Sequence, residues 1–169
     1  MRKFSTKGVP SWMNQRINRK RGTLVLRGNS TWVGQPVIDR VRVRLDDKIT
    51  GVNVNRAMGA QWRFIGNSQR NKFIFGDQAG AITKRFNSVM DFGKDNVRDT
   101  FVFTNTTQDK GPFNHMQRYV IKNFGEQDVI KLRNIGKTFR ADDLIQTGKN
   151  RYKLPGVDST KLRIDTSLL

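Results

Sequence analysis

Short apolar runs at regular intervals are the feature that most limits what this chain can fold into. Five runs rich in Val, Ile and Phe lie between residues 23 and 75, separated by Gly, Asn and Asp. Their centres are about eleven residues apart, a spacing typical of strands in an antiparallel sandwich or barrel. The predicted strands are Thr23–Arg27, Pro36–Leu45, Ile49–Val54, Gln61–Ile65 and Lys72–Phe75.

The residue composition also favours sheet over helix. Val, Ile, Thr, Phe, Tyr and Trp total 54 residues, against 15 for Ala, Leu and Glu. The first group consists of good strand formers and the second of good helix formers. We therefore expect a mainly β protein, an antiparallel sandwich or barrel, with a jelly roll as one arrangement that fits. Thr100–Thr104 and Met116–Lys122 are predicted as further strands, whereas Glu126–Arg133 fits either a strand or a short helix.

One segment, residues 79–92, breaks the strand pattern. Its apolar residues recur at helical spacing, and Asp77 before it and Gly93 after it are typical of helix ends. The pattern predicts a short helix of about three turns. The residues on its apolar face are Ile82, Phe86, Val89 and Met90.

The chain divides into three parts by composition. Residues 1–22 form a basic N-terminal arm with seven cations and no acidic residue, which is too polar to fold alone. Residues 23–140 form the β-rich domain. Residues 141–169 form an extended C-terminal tail, with short extended pieces at Arg151–Leu154 and Lys161–Ile164. The arm cations are Arg2, Lys3, Lys7, Arg16, Arg19, Lys20 and Arg21.

The charge balance indicates a polyanionic partner. Lys and Arg number 32 against 14 Asp and Glu, which gives a net charge of +18. Self-repulsion of this size opposes a compact monomer unless a polyanion neutralises it. Cations that touch phosphates release counterions, which is the main source of non-specific affinity for nucleic acid. We therefore expect the arm cations to contact DNA or RNA, and the sequence leaves that choice open.

A row of arginines is expected to extend the basic surface onto the folded domain. Arg40, Arg42 and Arg44 alternate with apolar residues in one predicted strand, so the three arginines share one face. A polyanion-facing surface is the preferred interpretation, because Arg suits bidentate contact with phosphate. The alternative is a solvated row whose guanidinium groups face water or the neighbouring Asp39 and Asp46.

Aromatic pairs are a further candidate for nucleic-acid contact. Trp62 with Phe64, and Phe73 with Phe75, are each spaced two residues apart and would share a strand face. Such pairs can stack on unpaired bases. They can equally fill the core, which is the preferred interpretation, since the chain has few Leu residues with which to build one.

No set of residues suited to catalysis is present. The absence of Cys excludes disulfides, zinc ribbons and iron–sulfur sites, and the single His115 excludes a multi-histidine metal site. The pairs Asp46–Asp47 and Asp142–Asp143 could serve a nuclease, but adjacent Asp residues are more typical of turns and helix starts. Phosphate-binding loops, dinucleotide fingerprints and nucleophile elbows are missing. We expect a protein that is not an enzyme and that has no cofactor and no metal.

The sequence also predicts no membrane partner. No apolar run approaches the roughly 18 residues that a membrane-spanning helix needs. The basic first residues are followed by no apolar stretch of the kind that marks a secretory signal.

A β domain with basic extensions and no catalytic set is expected to be a structural subunit of an assembly that contacts nucleic acid. In layout, though in no motif, this plan resembles small viral capsid proteins with a single jelly roll. The resemblance implies a virion subunit whose arm neutralises genome phosphates and whose other partners are copies of itself or other chains. Two alternatives stay open: a ribosomal-type RNA-binding protein of a cytoplasmic ribonucleoprotein, and a β-barrel that binds single-stranded nucleic acid.

Overall fold

The protein is built almost entirely of strands. The computed structural model describes residues 14–18, 23–27, 39–45, 50–55, 60–75, 86–91, 93–104, 117–157 and 162–167. These residues contain two short 3-10 helices, Arg133–Ile135 and Ala141–Asp143, and none of their helices could cross a bilayer. The strands are β1 (Asn14–Asn18), β2 (Thr23–Arg27), β3 (Asp39–Arg44), β4 (Gly51–Asn55), β5 (Ala60–Ile65), β6 (Lys72–Phe75), β7 (Phe86–Asp91), β8 (Thr100–Phe103), β9 (Gln117–Lys122), β10 (Val129–Leu132), β11 (Lys137–Phe139), β12 (Ile145–Gly148), β13 (Arg151–Lys153) and β14 (Leu162–Asp165). The prediction of a mainly β protein is confirmed.

The chain alternates between two mixed sheets. Sheet A has the order β1-β2-β4-β6-β8-β10-β11, and sheet B has the order β12-β13-β14-β9-β7-β5-β3. From β4 to β10, each strand pairs in parallel with the strand two places earlier in the chain, which lies in the same sheet. Each circuit of the chain therefore adds one strand to each sheet, which is the winding of a solenoid.

Antiparallel strands flank this parallel centre. In sheet A, β1 pairs with β2 at one edge and β11 pairs with β10 at the other. In sheet B, β14 joins β9 in parallel, and β13 and β12 follow it as antiparallel neighbours. Strand β1 falls within the predicted arm and β12 to β14 within the predicted tail. Both extensions therefore contribute strands to the sheets.

Apolar side chains aligned across neighbouring strands build the core of sheet B. All five members of its central ladder are fully buried. Because the strands pair in register, each side chain rests on the equivalent side chain of the next strand. The ladder consists of Val43, Phe64, Met90, Ile121 and Ile164.

Sheet A contributes a matching ladder to the same core. Its buried members are Val52, Phe73, Phe101 and Ile130. The ring centroids of Phe64 from sheet B and Phe73 from sheet A are 4.8 Å apart. A second contact between the sheets joins Phe103 and Tyr119, with centroids 5.2 Å apart. The two sheets therefore share one hydrophobic core.

Two sequence predictions are wrong. Antiparallel pairing was expected throughout, but the inner strands of both sheets pair in parallel. A jelly roll does not fit, because its strands pair antiparallel.

The helix expected over residues 79–92 is replaced by β7 over Phe86–Asp91, while residues 79–85 and 92 lie outside the described residues. Met90 aligns between Phe64 and Ile121 in the sheet B ladder. This burial outweighs the local helical spacing.

Candidate nucleic-acid interface

Three exposed arginines lie at the β3 end of sheet B. On β3, the buried Val43 separates Arg42 from Arg44, so the two exposed arginines share the face turned away from the core. On β5, Phe64 is buried and the preceding Arg63 is exposed. Arg63 is aligned with Arg42 across the strand pair. Neighbouring strands are about 4.8 Å apart, and alternate residues of one strand about 6.6 Å, so the three cations form one compact group. We call Arg42, Arg44 and Arg63 the arginine patch.

The arginine patch has no acidic residue in the row that joins Arg42 to Arg63. That row continues across two valines to Arg163 on β14. Arg163 forms the one ion pair among the described residues, with Asp165 at 2.7 Å. The side chains of the three patch arginines make no hydrogen bond or ion pair with any described residue. Among the described residues, no acidic group competes with an external anion for these guanidinium groups.

The row through Arg44 has a different charge pattern. Its members on β5 and β7 are Ile65 and Asp91, and Lys122 on β9 then lies between Asp91 and Asp165. Positive and negative side chains alternate along this row, so its cations and acids largely neutralise one another. Of these two rows, the described uncompensated charge therefore lies mainly in the row of Arg42 and Arg63.

The opposite end of sheet B is also basic. Tyr152 on β13 packs against the core, so the exposed Arg151 and Lys153 on either side of it face outward. Arg151 is aligned with Asp165, the residue that also pairs with Arg163. Since Asp165 lies among these cations, this end of the sheet has a smaller excess of positive charge.

The structure locates the sequence-predicted cations only in part. Arg42 and Arg44 lie exposed on β3, as the alternating pattern predicted. Arg40 and Arg16 are placed by their backbones alone, in register with Gln61 and Val25 respectively. The remaining arm cations, Arg2, Lys3, Lys7, Arg19, Lys20 and Arg21, lie outside the described residues, as do His115 and the Asp46–Asp47 pair.

The aromatic candidates separate into two groups. Phe64 and Phe73 are buried and contact each other, so neither ring has a face on which a base could stack. Trp62 and Phe75 are placed on β5 and β6 by their backbones, in register with Val41 and Val54. Since the two described rings belong to the core, they supply no stacking platform.

The sequence analysis missed a buried polar ladder beside sheet A. Asn71, Asp99 and Asp128 each stand directly before a strand of that sheet, and their exposed fractions are 1, 2 and 5%. The backbone N–H of Asn71 donates to Asp99 Oδ1, and that of Asp99 donates to Asp128 Oδ1, both at 2.8 Å. Asp128 Oδ2 accepts from the N–H of Gly125, also at 2.8 Å. The side chains of Asp99 and Asp128 therefore each satisfy a backbone N–H of the preceding circuit.

Burial controls the ionisation of this ladder. Desolvation, together with the nearby Asp128 and Asp95, raises the pKa of Asp99 to about 8 against the lowering effect of the hydrogen bond from Asn71. Desolvation also raises the pKa of Asp128. The described residues include no group of three acidic or histidine side chains arranged to hold a metal ion. The ladder is therefore a structural element whose carboxyl at Asp99 keeps its proton near neutral pH.

Comparison with known proteins identifies no relative. No family model, curated protein or solved structure matches this chain. The charge and geometry of the described residues are therefore the features that bear on function.

Proposed function

We propose that this protein is a non-enzymatic structural protein that binds nucleic acid through its phosphate groups. The arginine patch is the observation that carries the proposal, because three exposed guanidinium groups on a regular sheet have no described acidic partner. Guanidinium groups form paired hydrogen bonds with phosphate oxygens. The net charge of +18 supplies long-range attraction to a polyanion. Contacts of this type position a protein on the backbone and carry no base sequence information.

The basic arm is proposed to act with the patch. Seven arm cations without an acidic residue can approach phosphates that the sheet does not reach. If all seven touched phosphate, log K would fall against log salt with a slope of about −6 on duplex or −5 on a single strand. The combined surface would bind either DNA or RNA.

We further propose that the protein is a subunit of a nucleic-acid-containing assembly. A virion is the first candidate, and a ribosomal-type ribonucleoprotein is the second. The shared core supports two sheets packed face to face as a sandwich. The third alternative, a single-strand binder that stacks bases on Phe64 and Phe73, is disfavoured because both rings are buried.

A binding measurement with two triple variants tests the phosphate-binding proposal. The first variant changes all three arginines of the patch to Gln. The control changes three exposed cations to Gln, two on sheet A and one in the 3-10 helix after β10: Lys72, Lys131 and Arg133. Each variant loses three charges, so a general charge effect is equal in both. By fluorescence anisotropy with a labelled oligonucleotide, we expect the patch variant to bind at least about tenfold more weakly and the control about threefold or less. An equal loss in both variants would contradict the proposal.

Size-exclusion chromatography at low salt tests the assembly proposal. We expect a large species with a high ratio of absorbance at 260 to 280 nm, whose protein contacts survive nuclease treatment. A nucleic-acid-free monomer would contradict membership of an assembly.

A further inference from the structure

Arg42 and Arg63 stand directly opposite each other on neighbouring parallel strands. They are aligned in the β3–β5 pair, both side chains are exposed, and the strands are about 4.8 Å apart. Two guanidinium groups that start this close together on one face can reach the same small ligand.

Like charges directly opposite each other destabilise a sheet. Two other described cations on this face are compensated by acids. Lys122 lies between Asp91 and Asp165, and Arg163 pairs with Asp165. The Arg42–Arg63 pair has no such compensation among the described residues. An anion placed between the two guanidinium groups would supply the missing charge.

We infer that Arg42 and Arg63 form a clamp that holds one phosphate group between the two strands. The inference rests on the proposed function and names the ligand of that surface as a phosphodiester or phosphomonoester. A phosphate group has enough acceptor oxygens to take two N–H donors from each guanidinium group. Arg44 lies outside the clamp, because its aligned neighbour on β5 is the apolar Ile65.

A double-mutant cycle measures whether the two arginines act as a unit. Arg42→Gln, Arg63→Gln and the double variant are titrated with a labelled oligonucleotide by fluorescence anisotropy. If one phosphate needs both arginines, each single change weakens binding about tenfold, and the double change adds less than about threefold more. The control cycle pairs Arg42→Gln with Arg44→Gln, and there we expect the two losses to multiply.

A second measurement separates the clamp from the nucleic-acid proposal. Inorganic phosphate is added to the wild type and the variants, and melting temperatures are recorded. Because a ligand stabilises the state that binds it, phosphate should raise the melting temperature of the wild type and not that of Arg42→Gln or Arg63→Gln. The Lys131→Gln variant, which changes an exposed cation of sheet A outside the patch, should respond like the wild type.

The outcomes distinguish the two proposals. Oligonucleotide binding with multiplying losses at Arg42 and Arg63 would overturn the clamp and leave the proposed function standing. A phosphate response confined to these two residues, without oligonucleotide binding, would support the clamp and overturn the nucleic-acid proposal. No response to either ligand would overturn both.

Discussion

The buried carboxyl of Asp99 predicts an unusual dependence of stability on pH. Its side chain accepts the N–H of Asn71, its exposed fraction is 2%, and Asp128 and Asp95 lie close enough to oppose its ionisation. The folded chain therefore keeps a proton on Asp99 that the unfolded chain releases above about pH 4.

The direction of the effect follows from this proton balance. The pKa of Asp99 rises from 3.8 when unfolded to about 8 when folded. Unfolding between these pH values releases a proton, so a higher pH favours the unfolded chain. The stabilisation that comes from the protonated Asp99 is therefore complete below pH 4 and is lost as the pH rises through 8. A full shift is worth about 6 kcal/mol at about 1.36 kcal/mol per pH unit. Local opening lets water reach the ionised carboxylate, so we expect a measured loss of about 2–4 kcal/mol.

The Asp99→Asn substitution isolates this effect. The side-chain oxygen of the substituted Asn can still accept from the backbone N–H of Asn71. The backbone N–H of residue 99, which donates to Asp128, is unchanged. We expect the variant to be more stable than the wild type by about 2–4 kcal/mol at pH 9 and equal within about 1 kcal/mol at pH 4. The free energy of unfolding is measured by urea titration, with the fluorescence of the three Trp residues as the signal.

Comparison with a surface carboxylate removes the general effect of net charge. Asp142 is exposed in the second 3-10 helix, and Asp142→Asn should leave the pH dependence of the wild type unchanged. The reasoning would be refuted if Asp99→Asn kept the slope of the wild type, or if the wild type gained stability relative to this variant as the pH rose.

Three further predictions concern packing, the polar ladder and a turn, and urea titration checks each of them. Phe101→Ala leaves a cavity in the sheet A core and should cost about 3–5 kcal/mol. Asp128→Ala leaves two backbone N–H groups without their acceptor and should cost about 2–4 kcal/mol, whereas Asp128→Asn should cost less. Gly136 has φ of 65°, so Gly136→Ala should cost about 1 kcal/mol through backbone strain, although no atom lies within 4 Å of the added Cβ. A cost below about 0.5 kcal/mol for Phe101→Ala would contradict its place in the core.

The positions of the strands could be predicted from the sequence because they depend on local alternation. Thr23–Arg27 and Lys72–Phe75 match β2 and β6 in both bounds. Strand partners could not be predicted in the same way. Runs with the same spacing can form hairpins or successive turns of a solenoid, and no internal repeat marks the circuits. Parallel pairing becomes visible only through the ladders that join distant residues, such as Phe73 with Phe101.

The candidate site could likewise be predicted only where it depends on alternation within one strand. Alternation along one strand identified Arg42 and Arg44 as exposed, but the alignment of Arg63 with Arg42 depends on register between strands and carries no local signal. The polar ladder left a weak signal. Asp99 and Asp128 each stand one residue before an apolar run, 29 residues apart. This spacing alone does not predict the polar ladder, because isolated Asp residues before strands are also typical of turns.

The salt dependence of nucleic-acid binding tests the central claim most directly. Association constants are measured for the wild type and for the variant with all three patch arginines changed to Gln, across a series of salt concentrations. If the patch contacts two phosphates, one shared by Arg42 and Arg63 and one at Arg44, the slope of log K against log salt should be shallower in the variant by about 1.4 to 1.8. Identical slopes would show that the arginine patch touches no phosphate and would contradict the account.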